Sequence, residues 1–205
     1  MEKEFINLTP ENLDGEHLCC IIRSRKPHPG VEAKRRWLAG RLEEGHVFRK
    51  LDEKGGGICG VCPAGDRLGP VTGDNYLYLY CLWAAGAYKG KGCGRALMEY
   101  CLADAGAKGK SGVCMLGAQK QKAWLSDQSF AKKYGFQVVD TAAGGYELLA
   151  LSFDGTAPRV HVCRPAGGRI PEQELTIYYG MQCPYIHASL EQVKRFCGER
   201  GAPVT

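Results

Sequence analysis

The sequence predicts an α/β fold of the α+β type, built around a mixed sheet. Strand-like and helix-like segments alternate along the 205 residues, an order typical of helices packed on such a sheet. An aromatic strand near residues 76–84 runs through a glycine-rich loop directly into an amphipathic helix. The hydrophobic content of 44% and the charged content of 24% are those of a globular protein with a substantial core.

The first sixty residues predict two helices and then two strands. Thr9-Pro10-Glu11 is typical of a helix cap followed by a first turn. A second helix is predicted from 31 to 44, because its apolar residues share one face and Gly45 is a suitable end. Residues 46–51 and 58–62 are predicted strands, separated by a turn of three consecutive glycines.

The predicted central strand, 75–82, alternates tyrosines with Leu77, Leu79 and Cys81, which indicates one aromatic face and one apolar face. These tyrosines are also ordinary packing partners across strands. The remaining predicted elements are a helix after the loop, a strand at 113–116, a short helix at 126–134 that Gly135 ends, and strands at 136–140 and 146–153.

The loop before the second long helix, residues 88–95, has the composition of a phosphate-binding site. Its alternate glycines let backbone N–H groups point inward, and the following helix adds the positive end of its dipole. Lys89, Lys91 and Arg95 supply counter-charge. The spacing fits neither the Walker pattern nor the Gly-x-Gly-x-x-Gly pattern of dinucleotide sites.

Read as Lys89-x-x-Gly92-x-Gly94, the loop resembles the Gln/Arg-x-x-Gly-x-Gly/Ala pyrophosphate loop of the Gcn5-related N-acetyltransferases, the GNAT family. The aromatic strand before it and the Gly135-Phe136 turn after it follow in the family's order, so the resemblance covers residues 1–153. It implies a GNAT-like fold and direct transfer of an acetyl group from acetyl-coenzyme A to an amine of a small molecule or peptide. The cofactor-binding residues that it implies are Leu82, Trp83, Ala84, Lys89, Gly90, Lys91, Gly92, Cys93, Gly94, Arg95 and Trp124.

The chain departs from the family at the proton donor. Ala131 stands where the family has its usual tyrosine, and Trp124 stands where an asparagine often precedes it. Tyr134, one helical turn from Ala131, is the candidate catalytic residue, with a core role as the alternative. Weaker candidates are Ser126, which also suits a helix cap, and Ser129. Two titratable residues that the sequence does not place at the amine are His46 and Glu147.

The C-terminal region is predicted to be a linker at 154–174 and a strand–turn–helix segment at 175–205. Its Cys183-Pro184-Tyr185 turn is similar to the start of thioredoxin-like redox proteins, where the helix dipole favours a thiolate. Ile186 replaces the resolving cysteine, so disulfide exchange by this motif is not expected. The segment resembles that of YoaP-like acetyltransferases, and we expect it to be truncated. The alternative function is a thiol-dependent module for redox chemistry or for binding a metal or metalloid, which uses Cys183 beside an acetyltransferase-like domain that senses coenzyme A.

Charge and cysteine content limit the partners. The net charge of +5 is spread along the chain, which argues against nucleic acid and suits a polyanionic cofactor. No apolar run approaches the ~20 residues of a membrane span and the N-terminus lacks a signal pattern, so we predict a cytoplasmic protein with no membrane partner. The eleven scattered cysteines are predicted to be mostly free, buried thiols. Cys59 and Cys62 have metal-ligand spacing, but a strand points them apart, and no metal site is predicted. The sequence does not specify the oligomeric state.

Overall fold

The computed structural model describes residues 4–21, 26–53, 58–63, 71–73, 75–84, 88–120, 122, 125–126, 128–155, 160–162, 177 and 179–202. For residues 58–63 and 160 it describes the backbone alone. No helix within these ranges has both the length and the apolar composition needed to cross a membrane.

A seven-stranded mixed sheet organises the chain, as the sequence predicts. The strands are β1 (Phe5–Asn7), β2 (Val47–Leu51), β3 (Ile58–Pro63), β4 (Val71–Gly73), β5 (Tyr76–Trp83), β6 (Gly112–Ala118), β7 (Gln137–Ala142), β8 (Tyr146–Ser152) and β9 (Val160–Val162). The large sheet has the order β1-β2-β3-β5-β6-β8-β7, in which β5 and β6 run parallel and the other neighbours run antiparallel. Strands β4 and β9 form a separate two-stranded sheet.

In the part of the chain that the structure describes, four α-helices accompany the sheet: α1 (Pro29–Glu43), α2 (Cys93–Ala107), α3 (Gln128–Lys132) and α4 (Tyr185–Glu199). Helix α1 begins two residues before the predicted start. His28 caps it, because its Nδ1 atom accepts a hydrogen bond from the Gly30 N–H at 3.1 Å, and Pro29 occupies the first turn, where its missing N–H costs nothing. Helix α4 begins at Tyr185, the last residue of the Cys183-Pro184-Tyr185 motif that the sequence predicted to be a turn.

The two long helices of the first hundred residues cover opposite faces of the sheet. Leu97 of α2 packs in one core cluster with Leu79 of β5, whereas Leu38 of α1 packs in another with Phe48 of β2. A third cluster, around Tyr78, includes residues of β4 and β9. The sheet is therefore buried on both faces, and the region where β5 meets α1 and α2 is enclosed by three layers.

The predicted helix at Thr9 is wrong. Residues 10–15 form turns, and the Asn12 Oδ1 atom accepts a hydrogen bond from the Thr9 N–H at 2.9 Å. An asparagine that bonds local backbone in this way favours a turn over a helix. The predicted three-glycine turn and most of the predicted strand at 175–179 lie outside the described residues.

Candidate active site

Strands β5 and β6 separate part-way along their length. Their parallel pairing runs only from the Tyr76–Gly112 pair to the Tyr78–Cys114 pair. Beyond that point β5 stays paired with β3 and β6 stays paired with β8, so the two facing edges open into a wedge. Strand edges that do not pair with each other expose N–H and C=O groups to which an extended ligand can bind as an added strand.

A β-bulge at Tyr80 reverses the faces to which the last side chains of β5 point. The register with β3 shifts between residues 60 and 61, so Tyr80 has no partner there. An extra residue reverses which side chains point to each face. Leu82 therefore joins Leu79 in the cluster on the α2 side, while Cys81 joins the cluster on the α1 side. The prediction that Cys81 shares the apolar face of Leu79 is wrong for this reason.

A cavity of about 390 Å³, which we call the loop-side cavity, extends from the glycine-rich loop into the wedge. Its lining comes from β5, the loop, α2, β6 and the segment that leads into α3. The lining residues are Leu79, Leu82, Trp83, Ala84, Lys89, Gly94, Met98, Met115, Leu125, Ser126, Phe130 and Ala131. Five residues that the sequence assigned to the cofactor are among them: Leu82, Trp83, Ala84, Lys89 and Gly94. Trp124 lies outside the described residues.

The loop ends in a helix N-terminus without a side-chain cap. Gly90 and Gly92 have φ values of 76° and 81°, which glycine adopts without strain, and Gly92 is the N-cap residue of α2. Among the described residues, no side-chain capping hydrogen bond is made to the first N–H groups of this helix. Such a terminus favours a bound anion, and the exposed side chains of Lys89 and Arg95 add positive charge beside it. Cys93 is buried, so only its backbone faces the loop surface.

A second cavity, of about 270 Å³, lies on the opposite side of β5, and we call it the α1-side cavity. Its lining residues are Cys19, Cys20, Lys34, Tyr80, Cys81, Leu82, Trp83, Leu125, Ser126, Gln182, Cys183, Pro184 and Tyr185. Leu82, Trp83, Leu125 and Ser126 line both cavities. The two cavities therefore meet at the end of β5.

The C-terminal segment forms part of the wall of the α1-side cavity. Helix α4 packs on α1, and Pro184 is buried directly against Gly30, where an added Cβ atom would overlap the Pro184 carbonyl oxygen. The rings of His28 and Tyr185 meet edge to face with centroids 6.5 Å apart. Docking of this turn on α1 brings Cys183 into the cavity wall.

Comparison with known proteins decides the family. The acetyltransferase (GNAT) family matches residues 14–136. The N-acetyltransferase YoaP of Bacillus subtilis is 32% identical over 198 residues, which are 96% of this chain and 79% of YoaP. The chain belongs to the GNAT family. It is an acetyl-coenzyme A-dependent N-acetyltransferase of the YoaP-like type.

Solved GNAT structures share the fold at low sequence identity. A GNAT acetyltransferase from Desulfovibrio desulfuricans superposes with a TM-score of 0.54 at 15% identity, covering 74% of this chain and 99% of that one. The PaiA N-acetyltransferase of Thermoplasma acidophilum, solved with coenzyme A, gives a TM-score of 0.51 at 17% identity, covering 75% and 100%. Because these identities are low, the likeness concerns the fold alone.

Ser126 is the hydroxyl located where the two cavities of this GNAT protein meet. Its Oγ atom accepts a hydrogen bond from the Leu82 N–H at 3.1 Å and donates one to the Leu82 carbonyl oxygen at 3.3 Å. The expectation that Ser126 caps a helix is wrong, because α3 begins only at Gln128 and the hydroxyl is engaged with β5. The Ser126 side chain thus occupies both the N–H and the C=O group of Leu82, a residue that the family resemblance assigns to cofactor binding.

Tyr134 lies away from both cavities. Its ring packs against Phe130, with centroids 5.3 Å apart, beside the core cluster on the α2 side, and it lines neither cavity. Its catalytic role stays a prediction. Glu147 does not line either of these two cavities. His46 borders a small third cavity, and burial, with smaller contributions from Lys34 and Arg41, lowers its pKa to about 3. A histidine with so low a pKa cannot hold a proton at neutral pH.

Four thiols surround one lysine in the α1-side cavity. The thiols belong to Cys19, Cys20, Cys81 and Cys183, and the lysine is Lys34. Burial raises the pKa of Cys81 to about 11, which the Lys34 charge partly opposes, and burial also raises the pKa of Cys19 and of Cys20. Those three thiols are therefore protonated at neutral pH. Within the described ranges, no group of three or more His, Cys, Asp or Glu side chains is arranged to hold a metal ion.

Proposed function

We propose that this N-acetyltransferase acts on a primary amine of a small molecule held in the α1-side cavity, with acetyl-coenzyme A in the loop-side cavity. The observation that carries the proposal is the shared lining at Leu82, Trp83, Leu125 and Ser126, which lets a donor and an acceptor reach one point from opposite sides of β5. A cavity of about 270 Å³ suits a small molecule. The cytoplasmic location and the absence of a nucleic-acid partner stay predictions.

The residues around the loop-side cavity fit a coenzyme A molecule. The uncapped N–H groups of Cys93, Gly94 and Arg95 suit a pyrophosphate, and Lys89 and Arg95 balance its charge. The edge of β5 that faces the wedge offers backbone hydrogen bonds to the extended pantetheine arm, the role that the family resemblance gives to Leu82 and Ala84. At Leu82 the arm has to displace the Ser126 hydroxyl, which bonds both backbone groups of that residue. Bound acetyl-coenzyme A supplies the reactive thioester.

The acceptor must react as a neutral amine. An alkylammonium with a pKa of ~10.4 is neutral in only about one molecule in a thousand at pH 7, which adds roughly 4–5 kcal/mol to the barrier unless the proton is removed. With its low pKa, His46 is a poor base for this purpose. We therefore infer that the amine loses its proton to solvent that enters the α1-side cavity.

Isothermal titration with acetyl-coenzyme A tests the proposal directly. We expect saturable binding to the native protein, followed by acetylation of amines in a mass-spectrometric screen of products. Folded native protein that shows no binding would overturn the proposal. Mass spectrometry is preferable to a thiol reagent for the activity assay, because the protein itself has eleven cysteines.

Replacing Ser126 with alanine is expected to lower kcat by about 10- to 100-fold, while the Kd for acetyl-coenzyme A changes little. The hydroxyl is a proton-bearing group at the junction of the cavities, and a single well-placed donor contributes about this much to acyl transfer. Ser129→Ala, three residues away on the exposed side of α3, is the matched control. Equal kcat values for native protein and Ser126→Ala would exclude this role and make Tyr134→Phe the next test.

Cys183→Ser separates acetyl transfer from thiol chemistry. A serine keeps the size of the side chain but removes the nucleophilic sulfur, so we expect kcat within about threefold of native if the amine attacks the thioester directly. Cys20→Ser removes another thiol of the same cavity and serves as the control. If Cys183→Ser alone abolishes activity, the function depends on the Cys183 thiol and the alternative module gains support.

A further inference from the structure

Lys34 is a buried cation to which the described part of the chain supplies no carboxylate partner. Only 4% of its surface is exposed, yet it lines both the α1-side cavity and the small third cavity. Its Nζ atom lies 5.0 Å from the centre of the Phe48 ring, and the described residues place no Asp or Glu carboxylate within 4 Å of it. Burial accordingly lowers the pKa of Lys34.

Lys50 is a second buried lysine of this fold, and its ion pair contrasts with the surroundings of Lys34. It is 1% exposed, and its Nζ atom lies 2.6 Å from a carboxylate oxygen of Glu16. Because an unpaired buried charge is costly, an ion pair of this kind is the usual arrangement. Lys34 instead directs its ammonium toward a cavity in which the neighbouring Cys19, Cys20 and Cys81 thiols are protonated.

A second donor without a partner lies one helical turn from Lys34. The Nε1–H group of Trp37 is buried and has no hydrogen-bond acceptor among the described residues. Trp37 lines the small cavity together with Lys34 but does not line the α1-side cavity, and the small cavity, of about 10 Å³, has room for about one water molecule. Gln182, from the C-terminal segment, lines both cavities beside them. The two buried donors on this face of α1 therefore each require an acceptor group.

We propose that the amine acceptor carries a carboxylate, which Lys34 binds at the α1 side of the cavity. The inference rests on the proposed function, since Lys34 lines the same cavity as Leu82 and Ser126, where the acetyl group is to be delivered. A carboxylate oxygen accepts a charge-assisted hydrogen bond from an ammonium group, whereas a neutral carboxamide offers only an uncharged acceptor. The substrate class is then a small amino acid or a related amino carboxylate.

Paired acceptors test this inference. The probes are the common amino acids and β-alanine, each compared with its own carboxamide and phosphonate, with acetylated products measured by mass spectrometry at saturating acetyl-coenzyme A. For at least one pair we expect kcat/KM about 10- to 100-fold higher for the carboxylate than for the carboxamide, which is the difference that one charge-assisted hydrogen bond makes. Equal use of both forms, preference for the phosphonate, or no product from any probe despite bound acetyl-coenzyme A would overturn the inference.

Variants then connect the preference to Lys34. Lys34→Met should remove the discrimination between carboxylate and carboxamide while the Kd for acetyl-coenzyme A stays unchanged. Lys133→Met, at an exposed position after α3, is the control for loss of one positive charge. A Lys34→Met protein that keeps the full preference contradicts the inference. Native protein that does not bind acetyl-coenzyme A at all is a distinct result, which overturns the proposed function and this inference with it.

Discussion

Gly92→Glu is expected to abolish acetyl-coenzyme A binding, raising the Kd by about 100-fold or more in isothermal titration. Gly92 has a φ of 81°, a left-handed conformation that costs other residues roughly 1–2 kcal/mol. A glutamate at this N-cap also adds negative charge where the proposed pyrophosphate binds, so it repels the phosphates and competes with them for the same N–H groups. Acetyl transfer should disappear together with binding.

Gly106→Glu is the matched control for this substitution. It places the same charge near the opposite end of α2, at an exposed position where an added Cβ atom meets nothing within 4 Å. We expect this variant to bind acetyl-coenzyme A with nearly native affinity. If Gly92→Glu bound as well as Gly106→Glu while both remained folded by circular dichroism, the loop would not be the cofactor site.

Gly30→Ala is expected to destabilise the protein by about 1–3 kcal/mol and to impair use of the acceptor without changing the Kd for acetyl-coenzyme A. The added methyl group would overlap the Pro184 carbonyl oxygen, so the Cys183-Pro184-Tyr185 turn has to move off α1. That turn is part of the wall of the α1-side cavity, whereas the loop-side cavity has no lining residue from it. Thermal unfolding and the KM for the acceptor measure the two effects.

Gly40→Ala, in the same helix, is expected to stabilise the protein rather than destabilise it. Nothing lies within 4 Å of an added Cβ atom there, so alanine should stabilise α1 by up to about 1 kcal/mol. A Gly30→Ala protein with the melting temperature and acceptor KM of Gly40→Ala would show that α4 does not hold this wall in solution.

Local sequence patterns sufficed for the parts of the fold that depend on neighbouring residues. The glycine loop, the presence of a helix directly after it and the end of α1 before Gly45 follow from backbone preferences that a few residues determine. The same patterns failed at Thr9, where the side chain of Asn12 closes a turn that competes with a helix.

Such local patterns could not predict the bulge at Tyr80 or the set of residues that lines the α1-side cavity. A bulge is defined by the register against β3, and alternating tyrosines read equally well with or without it. Lys34 stands in an ordinary amphipathic helix, and its burial beside Cys19 and Cys183 results from the docking of α4 on α1. The signal that was available is the close approach needed at Gly30, but one glycine in a helix does not reveal its partner.

Docking of α4 on α1 makes acceptor binding and the folding of the C-terminus thermodynamically linked. The turn before this 15-residue helix supplies cavity wall, so a molecule that contacts the turn binds better when the helix is docked than when it is detached. Part of the free energy of acceptor binding then stabilises the docked state of α4 against local opening. A saturating acceptor therefore slows amide hydrogen exchange along α4, also at residues that do not touch the acceptor.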